Sequence, residues 1–279
     1  MKEFKNKVAV ITGAASGIGV GLAERCAEEG MKIVLADIDE KGLNRLERRL
    51  TRAGATVLVV VTDVSKPEQI EALAQKTLES FGKVHLLFNN AGVAMPNLTW
   101  EYKLEDWDFV LGVNLFGVIY GIKTFVPIML EQDTECHIVN TSSIEGVVAN
   151  GVGGATYGVA KHALVFLSER LTLELEELGP KIKVSVLCPG FVHTKIFATA
   201  LKRAAEYLDM NEIYGPDTDR MEMLQEFIKE SPGISPQEVA DIVFKAIKDE
   251  QLYIFTHKQP ILKDSVKERF DTILNAFDE

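Results

Sequence analysis

The 279-residue chain is poor in cysteine and has no long apolar run. Its three cysteines, Cys26, Cys136 and Cys188, are scattered, and no two have the spacing of a metal-binding or redox pair. They are too few for a disulfide framework and lie in apolar segments, so we expect buried free thiols and a cytoplasmic location. Because no apolar run approaches the roughly 18 residues that a bilayer requires, we expect no transmembrane helix.

Basic residues and targeting signals are also scarce. The 30 Lys and Arg residues are outnumbered by 41 Asp and Glu residues, which gives a formal net charge of −11. This balance excludes a typical nucleic-acid-binding protein, which needs clustered basic residues to neutralise phosphates. The first seven residues are polar and run straight into an apolar segment, so we expect no secretory signal. The five histidines show no ligand spacing, and we predict no metal site.

Apolar residues, 47% of the chain, follow an alternation of short continuous runs and helical stripes. A long helical stretch spans about 104–130, and Pro127 is expected to kink or shorten it. The repeated alternation predicts a doubly wound parallel sheet, a Rossmann-type α/β fold of about seven strands with helices on both faces. We expect one domain over residues 1–279. The predicted strands are Val8–Ile11, Ile33–Ala36, Val57–Val61, Val84–Phe88, His137–Asn140, Val184–Leu187 and Leu252–Phe255.

The turn after the first strand is rich in glycine and reads Thr-Gly-Ala-Ala-Ser-Gly-Ile-Gly over residues 12–19. Gly13, Gly17 and Gly19 permit a tight turn and a close approach of the backbone to a ligand. The following helix would offer free N–H groups and a positive dipole to an anion. With a strand before it and a helix after it, this turn predicts a dinucleotide pyrophosphate site, and a merely structural turn is the alternative.

Asp37 lies at the end of the second predicted strand, 18 residues beyond Gly19. A carboxylate there can accept hydrogen bonds from the adenosine ribose hydroxyls and would repel a 2′-phosphate. No basic side chain stands in the turn at Ala15-Ser16 to attract that phosphate. The sequence therefore favours NAD over NADP, with capping of the following helix as the alternative role for Asp37.

Tyr157 and Lys161 are four residues apart on one predicted helix and therefore share a face. A nearby ammonium group lowers the pKa of a phenol, so Tyr157 could take a hydroxyl proton while a hydride leaves the same carbon. Alone, such a pair is common on protein surfaces. Here Ser142-Ser143 ends the fifth predicted strand, where a hydroxyl could hold a substrate oxygen, and Asn114 occupies a helix interior to which it is poorly suited.

These motifs together resemble the short-chain dehydrogenase/reductase family in its common single-domain form. The resemblance covers nearly all of residues 5–195, and several ordered motifs are more specific than any one of them. The matching motifs are Thr12-Gly13-x-x-x-Gly17-Ile18-Gly19, Asp63-Val64, Asn89-Asn90-Ala91-Gly92, Asn114, Ser143, Tyr157-x-x-x-Lys161 and Pro189-Gly190-x-Val192-x-Thr194.

The resemblance implies roles for four catalytic residues. Tyr157 would be the acid or base, and Ser143 would orient and polarise the substrate oxygen. Lys161 would lower the tyrosine pKa and bind the nicotinamide ribose, and Asn114 would hold a water that links Lys161 to solvent. The family usually has one residue fewer between serine and tyrosine, so Ser142 is the alternative to Ser143. We favour Ser143 because it occupies the second position of the serine pair.

The resemblance also implies the residues that contact NAD. They are Gly13, Ser16, Gly17, Ile18 and Gly19 at the pyrophosphate, Asp37, Asp63, Val64, Asn90, Ala91 and Gly92 on the adenosine and ribose side, Tyr157 and Lys161 at the nicotinamide ribose, and Pro189, Val192 and Thr194 at the carboxamide.

Residues 194–235 are rich in methionine and aromatic side chains, and by resemblance they would form a small helical lid over the substrate. Such a lid suits a bulky apolar alcohol or ketone, although these residues could equally pack two helices onto the body or a neighbouring subunit.

We therefore expect an NAD-dependent oxidoreductase that interconverts a hydrophobic secondary alcohol and a ketone. The alternatives are a dehydrogenase of a sugar alcohol or hydroxy acid and a non-catalytic NAD-binding regulator. By resemblance the chain would form a homodimer or homotetramer through the helices at 104–130 and 156–178, with neither nucleic acid nor membrane as a partner.

Overall fold

A computed structural model describes residues 1–149, 153–179, 181–196 and 233–278. These residues contain a parallel sheet of seven strands in the order β3-β2-β1-β4-β5-β6-β7. This arrangement confirms the predicted doubly wound fold. The strands are β1 (Val8–Thr12), β2 (Lys32–Asp37), β3 (Thr56–Val61), β4 (Leu86–Asn89), β5 (Cys136–Thr141), β6 (Ile182–Cys188) and β7 (Tyr253–Phe255).

Helices connect the strands and cover both faces of the sheet. Two short irregular helical turns, a π turn at Gly112–Phe116 and a 3₁₀ turn at Ile144–Gly146, lie beside predicted site residues. The α-helices in the described residues are α1 (Gly17–Glu28), α2 (Glu40–Arg52), α3 (Pro67–Phe81), α4 (Leu104–Leu111), α5 (Gly117–Glu131), α6 (Ala155–Leu178), α7 (Pro236–Lys248) and α8 (Pro260–Asn275).

Strand β1 shows why the sheet has two hydrophobic cores. Ala9 and Ile11 belong to the core that includes residues of α1, α2 and α7, whereas Val8 and Val10 belong to the core that includes residues of α3, α5 and α6. Successive side chains of a strand point to opposite faces, so a strand covered on both faces must be apolar throughout. The continuous apolar runs of the sequence therefore mark strands buried on both faces.

The long predicted helix is present, but its irregularity is not at Pro127. The chain stays helical from Leu104 to Glu131, four residues beyond Pro127, so the proline does not shorten it. The departure from α-helical geometry is instead the π turn around Asn114. This difference matters because it places an expected site residue at the one turn where the helix changes its hydrogen-bonding register.

This same helical stretch modifies the expectation about membranes. Over its 28 residues it reaches a mean hydropathy of 1.7 in its most apolar window, enough to cross a membrane by length and composition alone. Polar residues such as Asn114 and Lys123 interrupt its apolar residues, so the sequence shows no continuous apolar run there. Phe125 and Met129 are buried in the core under the sheet, as in the core helix of a globular domain. The three cysteines are free and buried, as expected.

Candidate active site

The predicted site residues converge at the carboxyl edge of the sheet. Strands β1 and β4 are neighbours, and the chain leaves them toward opposite sides of the strand order. Parallel sheets bind ligands in the crevice at such a switch point. The turns that follow β1, β4, β5 and β6 carry the glycine turn, the Asn-Asn-Ala-Gly segment, the serine pair and the Pro-Gly segment respectively.

The glycine turn after β1 has the geometry that a pyrophosphate site needs. Gly13 and Gly17 have φ angles of +66° and +53°, which favour glycine. A Cβ on Gly19 would lie 2.1 Å from the Gly13 carbonyl oxygen, so the turn closes only without a side chain there. Ser16 is the N-cap of α1 but makes no capping bond through its side chain, and Ile18 lies in the first helical turn. The N–H groups at this end of the helix are therefore available to an anion.

Asp37 is oriented toward this turn by two backbone donors. Its Oδ2 accepts a hydrogen bond from Ala15 N at 3.0 Å, and its Oδ1 accepts one from Asp39 N at 2.9 Å. The cap of α2 is Asp39, whose Oδ1 accepts from Gly42 N at 3.0 Å. The capping alternative for Asp37 is thus wrong, and its carboxylate keeps lone pairs for hydroxyl groups of a ligand.

Thr12 joins the turns that follow β1 and β4. Its hydroxyl accepts hydrogen bonds from Asn90 N at 2.9 Å and Ala91 N at 3.2 Å and donates to the Phe88 carbonyl at 3.2 Å. Asn90 returns a bond from Nδ2 to the Thr12 carbonyl at 3.0 Å. A Cβ on Gly13 would lie 2.7 Å from Ala91 Cα, so the two turns are in direct contact. In the sequence Thr12 stands out only as the first residue of the glycine motif, and nothing there indicates this bridging role.

Asp63 and Val64 support the outer side of the crevice. The Asp63 Oδ1 accepts bonds from Ser65 N at 2.9 Å and Ser65 Oγ at 2.7 Å, which fixes the turn before α3. Val64 is buried against the long helix, where a Cβ on Gly117 would come within 2.9 Å of Val64 Cγ2. Their expected contact with adenine stays a prediction.

Ser143 and Lys161 are buried and Tyr157 is half-buried, and the three residues form a cluster between α6 and the end of β5. The Ser143 hydroxyl accepts from Glu145 N at 3.2 Å and is close enough to the Tyr157 phenol to lower its pKa. Lys161 Nζ lies 5.4 Å from the centroid of the Tyr157 ring and donates to the Thr141 carbonyl at 2.7 Å. Lys161 is only 2% exposed, so its charge is held among protein groups. A phenol, a hydroxyl and an ammonium group in this arrangement can orient an oxygen atom and exchange a proton with it.

Burial dominates the electrostatics of this cluster. Burial raises the pKa of Tyr157 to about 12, the Ser143 hydroxyl opposes this rise, and the negative charge of Glu145 adds to it. Burial also lowers the pKa of Lys161 to about 8. The sequence predicts that Lys161 lowers the pKa of Tyr157. This prediction is wrong for the protein without its cofactor, in which the pKa is raised. Burial is the largest cause of this shift, so the neutral phenol is favoured over the phenolate in the protein alone.

Asn114 is fully buried in the π turn and braces the segment after β4. Its Oδ1 accepts from Val93 N and its Nδ2 donates to the Val93 carbonyl, both at 2.8 Å. A Cβ on Gly92 would lie 3.6 Å from both Asn114 Oδ1 and Lys161 Nζ, so these two groups flank the same space. This pairing explains why an asparagine occupies the interior of a long helix.

The two serines after β5 have different surroundings. The Ser142 hydroxyl donates to the Lys161 carbonyl at 2.7 Å, and Ser142 N donates to the Leu187 carbonyl at 2.7 Å. Ser142 therefore fixes the backbone of α6 to the sheet, whereas Ser143 faces Tyr157. The spacing from the tyrosine does not separate them, and the sequence favours Ser143 only by its second position in the pair.

The turn after β6 closes the site on the remaining side. The Pro189 carbonyl accepts from Ile144 N at 2.9 Å, and Val192 pairs with Ile234 in an isolated bridge. A Cβ on Gly17 would lie 3.0 Å from Thr194 Cγ2, which places Thr194 beside the start of α1. Residues 197–232, most of the predicted lid over 194–235, lie outside the described residues.

A buried polar network behind the site was not anticipated. Asn89 Nδ2 donates to Asn140 Oδ1 at 2.9 Å, and Asn140 Nδ2 donates to Ser168 Oγ at 3.0 Å. Ser168 in turn donates to the Leu164 carbonyl at 2.7 Å. The network ties β4 and β5 to α6. The polar Asn140 at the end of an apolar predicted strand was the available signal.

Comparisons with known proteins agree with this geometry. A family model described as short chain dehydrogenase matches residues 7–205. A CLA biosynthesis dehydrogenase/reductase of Lactiplantibacillus plantarum is 38% identical over 96% of this chain and 94% of its own length. The 1-deoxy-11-beta-hydroxypentalenate dehydrogenase of Streptomyces exfoliatus is 33% identical over 97% of this chain and 90% of its own length. A crystal structure of a short chain dehydrogenase/reductase from Burkholderia phymatum in complex with NAD has 42% identity and a TM-score of 0.89, covering 99% of this chain and 97% of that one.

Proposed function

Because the chain belongs to the short-chain dehydrogenase/reductase family, we propose that it is an NAD-dependent oxidoreductase that interconverts a secondary alcohol and a ketone. The coarser assignment, oxidoreduction at an alcohol or ketone carbon, follows from the family and from dehydrogenase relatives. The observation that carries the proposal is the position of Lys161 Nζ, 5.4 Å from the centroid of the Tyr157 ring, with the Ser143 hydroxyl close enough to the phenol to lower its pKa.

The protein groups would move the proton. In oxidation, Ser143 holds the substrate oxygen and Tyr157 takes the hydroxyl proton, and in reduction Tyr157 returns it. Bound NAD supplies the chemistry that the side chains lack, since it accepts the hydride from the carbinol carbon. Lys161 and a cationic nicotinamide ring both oppose the effect of burial on the Tyr157 pKa, which brings the phenol closer to deprotonation at working pH. Thr141 holds Lys161 in place through its carbonyl.

The residues present fit a dinucleotide along the whole crevice. The start of α1 offers N–H donors to the pyrophosphate, and the side-chain-free Gly92 leaves space beside Lys161. Asp37 would accept the ribose hydroxyls and repel a 2′-phosphate, so NAD is favoured over NADP. A relative of 42% identity was solved with NAD, which supports the same choice.

For the substrate we favour a hydrophobic secondary alcohol, because residues 194–235 are rich in methionine and aromatic side chains. One observation favours a polar alternative. Glu145 is half-buried and close enough to Tyr157 for its charge to raise the phenol pKa, and no side chain in the described residues pairs with its carboxylate. A carboxylate there would suit a diol or another alcohol with a second hydrogen-bond donor.

The decisive experiment follows the absorbance of reduced cofactor with NAD and NADP in parallel, over a panel of lipophilic secondary alcohols and polyols. We expect turnover with NAD on lipophilic alcohols and a loss of at least about 100-fold in Tyr157→Phe, which removes the proton acceptor. The variant should still bind NAD, since its glycine turn is unchanged. Turnover on polyols alone would contradict the hydrophobic substrate, and a preference for NADP would contradict the role of Asp37.

The assembly and location follow the same reasoning. We propose a cytoplasmic protein with one domain over residues 1–279 and a substrate lid over 194–235. Its proposed homodimer or homotetramer would form through the helices at 104–130 and 156–178. The first exposes Phe116, and the second exposes Val159, Phe166 and Leu173, which repeat every seven positions.

A further inference from the structure

The loop that carries Ser143 has few bonds of its own. After Ser143 the chain makes the short 3₁₀ turn Ile144–Gly146, in which Gly146 N donates to the Ser143 carbonyl at 2.9 Å. Val147 N and Val148 N both donate to the Ile144 carbonyl, at 3.0 and 3.1 Å. The outward-facing carbonyls of Gly146 and Val147 therefore need partners from elsewhere in the molecule.

Arg269 on helix α8 supplies one of these partners. Its Nη1 donates to the Val147 carbonyl at 2.8 Å, and its Nη2 lies 3.3 Å from His162 Nε2. His162 Nδ1 lies 2.7 Å from the Gly146 carbonyl. One guanidinium thus bonds the loop directly at Val147 and indirectly, through His162 of α6, at Gly146.

Only one protonation state of His162 satisfies both contacts. A carbonyl oxygen can only accept, so Nδ1 must carry a proton to bond with Gly146. Nε2 faces the Arg269 guanidinium, which only donates, so Nε2 must be unprotonated and accept. The neutral Nδ1–H tautomer therefore links the two elements. His162 is exposed, so the greater part of this linkage rests on the part-buried bond from Arg269 to Val147.

Apolar packing supports the same contact. Val147 and Val148 lie in a small cluster with Val165 of α6, and Val266 of α8 packs against it. No residue of α8 is fully buried, so this helix makes limited packing contacts with the rest of the domain. It also lies beyond the segment at residues 7–205 that matches the family model.

We propose that Arg269 is a positioning residue that holds the loop carrying Ser143 in register with Tyr157, which makes the C-terminal helix α8 part of the catalytic apparatus. The inference rests on the proposed function, because it assumes that Ser143 orients the substrate oxygen. Arg269 itself touches neither the substrate site nor the cofactor crevice. It acts through the Val147 carbonyl, four residues from Ser143, and through His162, the neighbour of Lys161 on α6.

The test compares Arg269→Ala and Arg269→Lys with Lys267→Ala, a control on the exposed side of the same helix. We expect Arg269→Ala to lower kcat on the order of tenfold, because Ser143 loses its fixed position. Its Kd for NAD should change less than about twofold, since no hydrogen bond or ion pair within the described residues joins α8 to the glycine turn or Asp37. Arg269→Lys keeps one donor for the Val147 carbonyl and should recover most of the lost kcat. Lys267→Ala should match the wild type.

A second readout does not depend on turnover. Hydrogen exchange of the Gly146, Val147 and Val148 amides should be faster in Arg269→Ala than in the wild type, and unchanged in Lys267→Ala. Suppose that these amides exchange faster in Arg269→Ala but that the wild type turns over no tested alcohol. Arg269 would then hold the loop as proposed, and the proposed function would be wrong. The positioning role would be overturned if Arg269→Ala kept the kcat of the wild type. It would also be overturned if kcat, the affinity for NAD and the unfolding midpoint all fell in Arg269→Ala and Arg269→Lys restored none of them.

Discussion

At the scale of single residues, burial moves the pKa values of Tyr157 and Lys161 in opposite directions. The pKa of the Tyr157 phenol is raised to about 12 and that of the Lys161 ammonium is lowered to about 8, so burial favours the neutral form of each group. Four-residue spacing predicted that both would share a helix face. It could not predict the sign of the shift in the Tyr157 pKa, because burial depends on tertiary packing that helix spacing does not reveal.

The lowered pKa of Lys161 predicts a pH-dependent stability. Below about pH 8 the lysine is charged in both states, and the folded state bears the full cost of a buried cation. Between pH 8 and the ordinary pKa of 10.5 the folded state releases its proton first, so stability rises with pH. Relative to Lys161→Met, the wild type should gain on the order of 2 kcal/mol in free energy of unfolding from pH 7 to pH 10.

Urea unfolding at both pH values, at one protein concentration, measures this difference. Lys76→Met removes an exposed lysine of α3 and should differ from the wild type equally at both pH values. A constant difference for Lys161→Met as well would show that Lys161 is not desolvated in the folded protein.

At the scale of elements, the helix from Leu104 to Glu131 shows what periodicity can and cannot predict. Its length and apolar face were readable from the sequence, and Asn114 stood out as unsuited to a helix interior. The π turn was not readable, because the Asn114 amide within it bonds to Val93 in a different segment of the chain. Local propensity cannot report a bond to a residue 21 positions away.

Close packing of α5 on the buried amide network gives a prediction at this scale. A Cβ on Gly121 would lie 2.3 Å from Asn89 Oδ1, which would displace the amide that bonds to Asn140. Gly121→Ala should therefore destabilise the protein by about 2 kcal/mol or more. Gly158 of α6 is the matched control, since a Cβ there meets no atom of the described residues within 4 Å.

Thermal and urea unfolding of both variants separate packing from helix propensity. Gly158→Ala should stabilise the protein by about 0.5 kcal/mol, because alanine restricts the unfolded chain and favours a helix. Stabilisation of Gly121→Ala to the same extent would mean that α5 does not press on the network.

At the scale of the whole molecule, the site is readable from the sequence because parallel strands place their carboxyl ends at one edge. Motifs after four strands could therefore be expected to meet without knowledge of any contact. Hydrogen bonds between side chains and distant loops could not be predicted in this way. The bond from Arg269 to the Val147 carbonyl joins residues 122 positions apart, and no local pattern marks either partner.

Two exposed apolar surfaces compete as the subunit interface, and they give the last prediction. One is the α6 surface of Val159, Phe166 and Leu173, and the other lies on α8 and includes Leu274, which is 60% exposed. If subunits associate through α6, the wild type should elute with a mass of two or four 30.9 kDa chains. Phe166→Asp should then shift that mass toward the monomer, because a buried unpaired carboxylate strongly destabilises an interface.

Light scattering coupled to size-exclusion chromatography decides between the two surfaces at several protein concentrations. Leu274→Asp places the same charge on α8 and should leave the mass unchanged. Dissociation by Leu274→Asp and not by Phe166→Asp would assign the interface to α8. It would also place a subunit contact on the helix that holds the Ser143 loop through Arg269, so that turnover would fall on dilution. With the interface on α6, turnover should not depend on α8 contacts between subunits, and kcat of Leu274→Asp should equal that of the wild type.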